Sequence, residues 1–189
     1  MMNTLVRAQN LSYKINDKKL FQGISFELLK GKALHIQGEN GSGKTTLLRM
    51  VCGLTKPTKG DLITLTEKEV CFIGHKNAIK QYLNVEDNLV LMNLNNHHDL
   101  QKYLSVFDLD KSLDINIANL SFGQQKKIAL LRLFLNRSDL LILDEPCVGL
   151  DTNSQEILVD FLKKELANGK GIIYSSHIFL DFDSDSLGI

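Results

Sequence analysis

The chain has 189 residues, of which 43% are hydrophobic and 23% charged, and its 22 basic side chains balance 22 acidic ones. This length and composition predict one folded domain with a sizeable core and exclude a disordered chain. The balanced charge gives no overall field that would attract nucleic acid or anionic lipid. The sequence has no apolar stretch of roughly 18 residues and no signal-peptide run, so we expect a cytoplasmic chain without membrane insertion.

Short apolar segments separated by turns predict strands in the first third of the chain. Phe21, Ile24, Phe26 and Leu28 give a partly alternating apolar face, and residues 32–37 form an apolar run that leads into a glycine-rich loop. The predicted elements are two antiparallel strands, a buried strand, a helix and two short strands, at residues 5–11, 20–28, 32–37, 44–52, 61–65 and 70–73.

The middle of the chain changes to helical spacing of its apolar residues, and strand signals return after it. The predicted elements are three helices, a strand, a helix and a strand, at residues 86–96, 100–109, 122–136, 140–143, 154–167 and 171–175. Residues 181–185 are interpreted only as an acidic tail. This order is typical of an α/β domain with an inserted helical lobe. We expect one domain over residues 1–189, with a core lobe at about 1–75 and 138–189 and a helical lobe at about 76–137.

Residues 38–45, Gly-Glu-Asn-Gly-Ser-Gly-Lys-Thr, have the spacing of a phosphate-binding loop. Glycines let the backbone approach a phosphate closely, and successive N–H groups then face it at the positive end of the following helix. Lys44 supplies a cation to the β- and γ-phosphates, and Thr45 a hydroxyl to Mg²⁺. A plain glycine turn is the alternative, but the position between an apolar strand and a helix favours a nucleotide site. The predicted nucleotide contacts are Gly38, Glu39, Asn40, Gly41, Ser42, Gly43, Lys44, Thr45 and Thr46.

Two carboxylates end the apolar segment 140–143, as Asp144-Glu145-Pro146. If this strand neighbours the strand at 32–37, Asp144 points toward the phosphate loop. A solvated turn at the end of a strand is the alternative interpretation.

A further motif, Leu120-Ser121-Phe122-Gly123-Gln124, stands between the loop and the carboxylates. Ser121 followed by Gln124 is a capping box, which predicts a helix starting at Phe122. The positive end of such a helix also suits a phosphate, and Gly123 permits a ligand to approach closely. The motif therefore has both a structural and a functional interpretation.

Taken in order, segments 38–45, 120–124 and 140–146 resemble the ATP-binding-cassette (ABC) family. The resemblance implies the α/β fold of a P-loop ABC ATPase core, with an antiparallel β subdomain and an inserted helical lobe. It implies ATP and Mg²⁺ as cofactors. It also implies a second copy of the chain as partner, because two cassettes sandwich ATP between the phosphate loop of one and the 120–124 motif of the other.

The resemblance assigns roles to single side chains as well. Asp144 would hold Mg²⁺ with Thr45, and Glu145 would polarise the attacking water as general base. Ser121 and Gly123 would contact the opposite subunit's ATP.

Three further side chains lie where the family places functional groups. Tyr13 would stack on adenine, Asp151 would make a polar contact across the dimer interface, and His177 would contact the γ-phosphate as a switch histidine. A surface tyrosine and a structural histidine are the alternative interpretations.

His75 departs from the family, which usually has a glutamine there that serves Mg²⁺ and the attacking water. Counting back from Leu83-Asn84-Val85-Glu86 makes His75 the equivalent residue and a catalytic candidate, with Gln81 as the other candidate. An imidazole can bind water or metal only with the right nitrogen free, so coupling at His75 would depend on pH.

Residues 72–80 and 124–133 narrow the resemblance to the ATP-binding subunits of the cytochrome c maturation system, often called haem exporters. They are similar to the stretches GHxxGxK and GQxRRxALARL of that subfamily, with Ala78 replacing a glycine and lysines replacing arginines. The subfamily implies a peripheral protein on the cytoplasmic face of the inner membrane, paired with integral membrane subunits. Its ATP hydrolysis is thought to drive release of a haem-loaded periplasmic chaperone.

Three other functions stay open at this point. The chain could energise transport of another cargo, which the membrane subunits would set. A nucleic-acid-associated ABC ATPase is a weaker alternative, because such proteins usually carry coiled-coil insertions, zinc modules or tandem cassettes. A cassette that binds ATP as a switch without turnover is the third, because of His75.

The cysteines Cys52, Cys71 and Cys147 are dispersed without CxxC spacing. In a cytosolic chain this pattern predicts free thiols that pack as small apolar side chains. Cys147, beside the carboxylates, is the one to test for reactivity.

Overall fold

The computed structural model describes residues 3–16, 18–66 and 68–189 of the chain. Its strands are β1 (Thr4–Ile15), β2 (Lys18–Leu29), β3 (Ala33–Gln37), β4 (Lys59–Thr64), β5 (Cys71–Ile73), β6 (Leu140–Asp144), β7 (Gly171–Ser175) and β8 (Asp185–Gly188). Its α-helices are α1 (Lys44–Val51), α2 (Val85–Leu91), α3 (Leu100–Val106), α4 (Phe122–Phe134) and α5 (Thr152–Ala167). The strands form two sheets, ordered β2-β1-β4 and β5-β6-β7-β3-β8.

The smaller sheet is antiparallel, as predicted for the first two strands. β1 pairs with β2 on one side and with β4 on the other. β1 and β2 are both longer than the sequence predicts, since β1 continues to Ile15 and β2 begins at Lys18. Leu5, Val6, Leu11 and Phe21 are buried between this sheet and α1.

The larger sheet is parallel and is covered on both faces, which explains why its central strands are apolar at every position. Successive residues of β6 enter different cores. Leu140 and Ile142 pack with α1 and the antiparallel sheet, whereas Leu141 and Leu143 pack with α4, α5 and the helices of the inserted segment. Asp144 ends β6 at the carboxyl edge of this sheet, the edge at which α1 begins.

Two features of the parallel sheet differ from expectation. The strands at 32–37 and 140–143 are not neighbours, because β7 lies between β3 and β6. β8 forms where the sequence suggested only an acidic tail, and it pairs in parallel with β3 at the edge of the sheet. Its residues, Asp-Ser-Leu-Gly, carry no strand-like pattern, so the pairing with β3 determines their conformation.

The segment between β5 and β6 is helical, as predicted, but α2 and α3 are shorter than the sequence suggests. Asn93 and Asp108 adopt left-handed backbone angles, with φ of 56° and 55°, and no α-helix continues through that conformation. Two 3₁₀ turns, Asp110–Ser112 and Ile117–Asn119, lead into α4. Within the described part of the chain, no helix is long and apolar enough to cross a membrane.

Candidate nucleotide site

A cleft of about 640 Å³ opens at the carboxyl edge of the parallel sheet. A volume of this size is ordinary for a small-molecule site. The predicted residues that line it are Asn40, Gly41, Gly43, Lys44, Thr45, Thr46, His75, Asp144, Glu145 and His177. The fold therefore brings together residues that are up to 137 positions apart in the sequence.

The glycine loop has the backbone that its sequence predicts. Gly41 and Gly43 have φ of 85° and 111°, which favours glycine over residues with a side chain. A Cβ on Gly43 would stand 2.9 Å from the ring of Phe21, so the loop lies directly against β2. The hydroxyl oxygen of Ser42 is buried and has no hydrogen-bond partner among the described residues. An unpaired polar atom in such a loop is a ready partner for a phosphate oxygen.

Lys44 folds back over its own loop. Its Nζ donates to the backbone oxygens of Gly38, at 2.7 Å, and of Glu39, at 3.1 Å. These two oxygens hold the ammonium above the loop. A phosphate that enters the loop can replace them with charge-assisted hydrogen bonds, which are stronger.

Asp144 is held by two hydroxyl groups. Thr45 Oγ1 donates to Asp144 Oδ2 at 2.7 Å, and Ser175 Oγ donates to Asp144 Oδ1 at 2.7 Å. Asp144 thus reaches the phosphate loop even though β7 separates β6 from β3. A carboxylate beside a hydroxyl is the donor set that Mg²⁺ prefers, so Thr45 and Asp144 fit the predicted metal. Ser175 was not predicted, although its position at the end of an apolar strand could have indicated it.

Glu145 has an unusual backbone, with φ of 51°. For a residue with a side chain the left-handed conformation costs about 1 kcal/mol or more. Its N–H donates to the backbone oxygen of Ser175 at 3.0 Å, and its Oε2 accepts from the backbone N–H of His177 at 3.1 Å. Its Oε1 is buried, without a hydrogen-bond partner among the described residues. The carboxylate is therefore held by one oxygen and keeps the other available.

His177 lies between the carboxylate and the phosphate loop. Its Nε2 is 3.5 Å from Glu145 Oε1 and 3.2 Å from Asn40 Oδ1. The tautomer of the ring decides whether this nitrogen donates or accepts. The predicted switch histidine thus stands next to the predicted base.

His75 and Gln81, the two candidates for the usual glutamine, lie in different places. His75 is exposed and lines the cleft. Gln81 is not among the cleft residues, and its Nε2 donates to Gln125 Oε1 at 3.0 Å beside the start of α4. The geometry therefore favours His75 over Gln81.

Tyr13 packs beside Phe21, with ring centroids 6.3 Å apart and planes inclined by 28°. It is not among the residues that line the cleft. Ile15 and Leu20, which the sequence did not single out, form the apolar wall on that side. The stacking of Tyr13 on adenine stays a prediction.

The motif at 120–124 starts α4 as predicted. Ser121 Oγ accepts from the N–H of Gln124 at 3.2 Å, and Gln124 Oε1 accepts from the N–H of Ser121 at 3.0 Å. A Cβ on Gly123 would come within 2.9 Å of the backbone oxygen of Gly149. Gly123 is thus required for packing within this chain, in addition to any contact with a ligand.

Ser121 and Gly123 do not line the cleft that contains the phosphate loop of the same chain. Ser121 is exposed, and Phe122 beside it is 57% exposed, which is unusual for a large apolar ring. One chain thus brings together the loop, the carboxylates and both histidines, but leaves the helix-start motif on another surface.

Asp151 caps the next helix. Its side chain accepts from the N–H of Ser154 at 2.8 Å, and Lys127 Nζ lies 2.8 Å from its other oxygen. The hydrogen bond from Lys127, helped by those from Ser154, holds the pKa of Asp151 well below its usual range. Asp151 is therefore charged at neutral pH.

Cys147, Cys71 and Cys52 are free thiols, as predicted. Burial raises the pKa of Cys147 to about 11, although the charge of Lys126 acts in the opposite direction. The position of Cys147 beside the carboxylates therefore does not make it a reactive thiolate.

The profile of the ABC transporter family matches residues 21–148 of the chain. The chain is 33% identical over 182 residues to the cytochrome c biogenesis ATP-binding export protein CcmA of Legionella pneumophila strain Lens, an alignment that covers 88% of this chain and 90% of the relative. It is 35% identical over 182 residues to the CcmA protein of Bradyrhizobium diazoefficiens, with 91% of each chain covered.

Solved structures agree with the sequence relatives. The structure of the ATP-binding subunit of an ABC transporter superposes with a TM-score of 0.79 at 25% identity, covering 93% of this chain and 80% of the other. A dimeric ATP-binding cassette in a post-hydrolysis state, bound to ADP and Pi, shares the fold with a TM-score of 0.76 at 21% identity, covering 92% and 88%. The predicted fold class is confirmed, and the chain belongs to the ABC transporter family as an ATP-binding cassette.

Proposed function

We propose that this chain is the ATP-hydrolysing subunit of an ABC transporter complex that energises c-type cytochrome biogenesis. The ATPase part rests above all on Asp144, whose two oxygens are held by Thr45 and Ser175 next to Glu145. The assignment to cytochrome biogenesis rests on the names of the relatives in Legionella and Bradyrhizobium. Haem delivery, or release of a haem-loaded chaperone, is the work that ATP would drive.

The residues of the cleft divide the chemistry among them. The loop amides, Ser42 and Lys44 bind and orient the phosphates, and Thr45 with Asp144 would hold Mg²⁺. The metal, when bound, supplies positive charge against the phosphate oxygens. Glu145 takes a proton from the attacking water through Oε1, the oxygen that has no hydrogen-bond partner among the described residues. His177, 3.5 Å from that oxygen, contacts the γ-phosphate.

The second half of each ATP site comes from another copy of the chain. Ser121 and Gly123 lie outside the cleft, so they serve the ATP held by the partner, and Asp151 contacts the same interface. Integral membrane subunits complete the complex, and this chain sits peripherally on the cytoplasmic face of the inner membrane. No nucleic acid partner is proposed.

The variant Glu145→Gln tests the proposed base. It removes the acceptor for the proton but keeps the shape, so kcat should fall by about 10²- to 10⁴-fold while ATP binding persists. Gel filtration with ATP should then show a trapped dimer. The control is Glu156→Gln, an exposed position on α5 outside the cleft. Equal ATPase rates for Glu145→Gln and the parent chain would show that the base is assigned wrongly.

Two further measurements separate the alternatives. A steady-state ATPase assay distinguishes an enzyme from a cassette that binds ATP only as a switch. Identification of the membrane proteins that co-purify with the chain tests the cargo, since haem-handling subunits support cytochrome biogenesis and a solute-binding partner contradicts it. Salt-sensitive binding to DNA or RNA would instead support a nucleic-acid-associated ATPase.

A further inference from the structure

Lys126 is a buried lysine that the proposed mechanism does not use. It lies in the second turn of α4 and is only 1% exposed. Its Nζ donates to the backbone oxygen of Glu145 at 3.2 Å, its one hydrogen bond within the described part of the chain. A charged side chain with so little exposure is rare and requires an explanation.

The surroundings of Lys126 do not suggest an ordinary buried ion pair. Burial lowers its pKa, against the charges of Cys147, Asp144 and Glu145, which act to raise it. Cys147 is not a permanent counter-ion, since burial raises the pKa of its thiol to about 11. The direct partner of the ammonium is a backbone oxygen, so its contact fixes main chain rather than neutralising a charge.

That backbone oxygen belongs to the residue whose conformation is strained. Glu145 has φ of 51°, and such a conformation persists only where neighbouring groups hold it. Its N–H is bonded to Ser175 on β7, and Val148 N–H lies 3.4 Å from its oxygen. Lys126 provides the contact to that oxygen from outside the strand and its turn. The direction of the Glu145 side chain therefore depends on α4 as well as on the parallel sheet.

The same helix begins with Ser121 and Gly123. The contacts that join its first two turns to residues 145–151 include Lys126 with the oxygen of Glu145, Lys127 with Asp151, and the close approach of Gly123 to the oxygen of Gly149. A displacement of the start of α4 should therefore also displace residues 145–151, because tightly packed elements transmit strain to one another.

We infer that Lys126 is a positioning residue that couples α4 to the proposed general base of the same subunit. Its ammonium holds the Glu145 backbone so that Oε1 faces the attacking water. In the proposed dimer, the start of α4 in one subunit contacts the ATP bound by the partner. Through Lys126, that contact affects the alignment of Glu145 in the subunit to which α4 belongs. This inference rests on the proposed function, which assigns Glu145 as base and Ser121 to the partner's ATP.

The test is steady-state ATPase kinetics of the full chain with Lys126→Met, which keeps the length of the side chain but removes the donor. A misaligned base lowers kcat by about ten- to a hundredfold and leaves KM nearly unchanged. The melting temperature should not fall, because Met suits a buried position. Lys126→Arg, which restores a donor, should recover most of kcat. Lys163→Met, on exposed α5 surface, is the control for loss of a lysine.

A double-mutant cycle shows whether Lys126 acts through Glu145. In the Glu145→Gln background no base remains to be positioned, so Lys126→Met should lower the residual rate no further. An equal fold-loss in both backgrounds would overturn the inference. So would a parent-like kcat for Lys126→Met. If Lys126→Met does not fold, Lys126→Leu, which also lacks a donor, carries the same comparisons.

The outcomes distinguish this inference from the function on which it rests. A parent chain without ATPase activity, or a Glu145→Gln variant as active as the parent, contradicts the proposed function itself. A parent chain that hydrolyses ATP and loses activity with Glu145→Gln, but tolerates Lys126→Met, contradicts only the positioning role.

Discussion

The nucleotide cleft and the surface around Ser121 differ in how complete they are. In the cleft, the loop, both carboxylates and His177 are already within hydrogen-bonding distance of one another. At the start of α4, Ser121 and Phe122 are exposed to solvent and do not line this cleft. An exposed helix start with a large apolar ring is typical of a surface that another molecule covers. This difference fits the proposal that the chain contributes one half to each of two different ATP sites.

The two regions are nevertheless connected within the chain. Residues 145–151 run from the cleft to the contact between Gly123 and Gly149, and Asp151 at their end pairs with Lys127 of α4. A disturbance of the cleft should therefore affect nucleotide binding, whereas a disturbance of the α4 start should affect turnover and leave binding intact.

Lys44→Ala should have the largest effect and should act on the cleft alone. It removes a charge-assisted contact to phosphate worth up to about 3 kcal/mol, so ATP affinity should fall by about a hundredfold. Calorimetric titration with MgATP measures this change. Arg49→Ala, on the same helix but outside the cleft, is the control and should bind as the parent does. Parent-like affinity of Lys44→Ala would contradict the phosphate role of the loop.

Ser121→Arg should leave ATP binding intact and lower ATPase activity by about tenfold or more, because a long cation obstructs the surface and opposes the positive helix end. Binding and turnover are measured on the same preparation. Ser105→Arg, at an exposed position of α3, controls for the added charge. Unchanged turnover in Ser121→Arg would remove the reason to invoke a second copy of the chain.

Asp151→Asn should have a smaller effect, because asparagine still caps α5 and only the ion pair with Lys127 is lost. The pKa of Asp151 is lowered in the folded protein, so the stability from its charge is present at neutral pH. It should be worth less than about 1 kcal/mol at this exposed site. The melting-temperature difference from the parent should persist down to about pH 4 and shrink below it. Asp160→Asn is the control, and a difference that grows in acid would contradict the assignment.

Modification of Cys147, in the segment that joins the two regions, should show the smallest effect of all, since its thiol is buried. With a pKa raised to about 11, roughly one thiol in 10⁴ is ionised at neutral pH. A thiol-specific reagent should label it only after unfolding. Rapid labelling of Cys147 in the native chain would show that residues 145–151 open to solvent. That result would contradict a rigid connection between the two regions.

The sequence predicts the cleft better than its surroundings. The phosphate loop, β6, β7 and the capping box of α4 are local patterns, in which spacing alone specifies the conformation. β8 and the position of β7 between β3 and β6 depend on pairing between distant segments, which no local pattern encodes. The ends of α2 and α3 were missed because left-handed turns at Asn93 and Asp108 have only weak signals.

Within the candidate site, too, some residues can be predicted from the sequence and others only from the packing. Lys44 and Thr45 could be predicted from the spacing of the phosphate loop, and Asp144 and Glu145 from the resemblance to the ABC family. Lys126 could not, since a lysine in an amphipathic helix is ordinarily exposed and only the packing of α4 reveals its burial. Counting along the sequence already favours His75 over Gln81, and the position of His75 in the cleft agrees with that choice.

The capping box at the start of α4 constrains how this protein can evolve. Ser121 bonds to Gln124 and thereby starts the helix, while the same hydroxyl lies on the surface proposed to meet ATP. Replacement of Ser121 by alanine or a larger apolar residue would weaken both the helix start and the contact. Asparagine, aspartate or threonine would keep a capping oxygen, and glycine would weaken the helix only slightly, but each of them would alter the contact. A mutation of Ser121 therefore affects both the stability of α4 and the proposed contact with the partner's ATP.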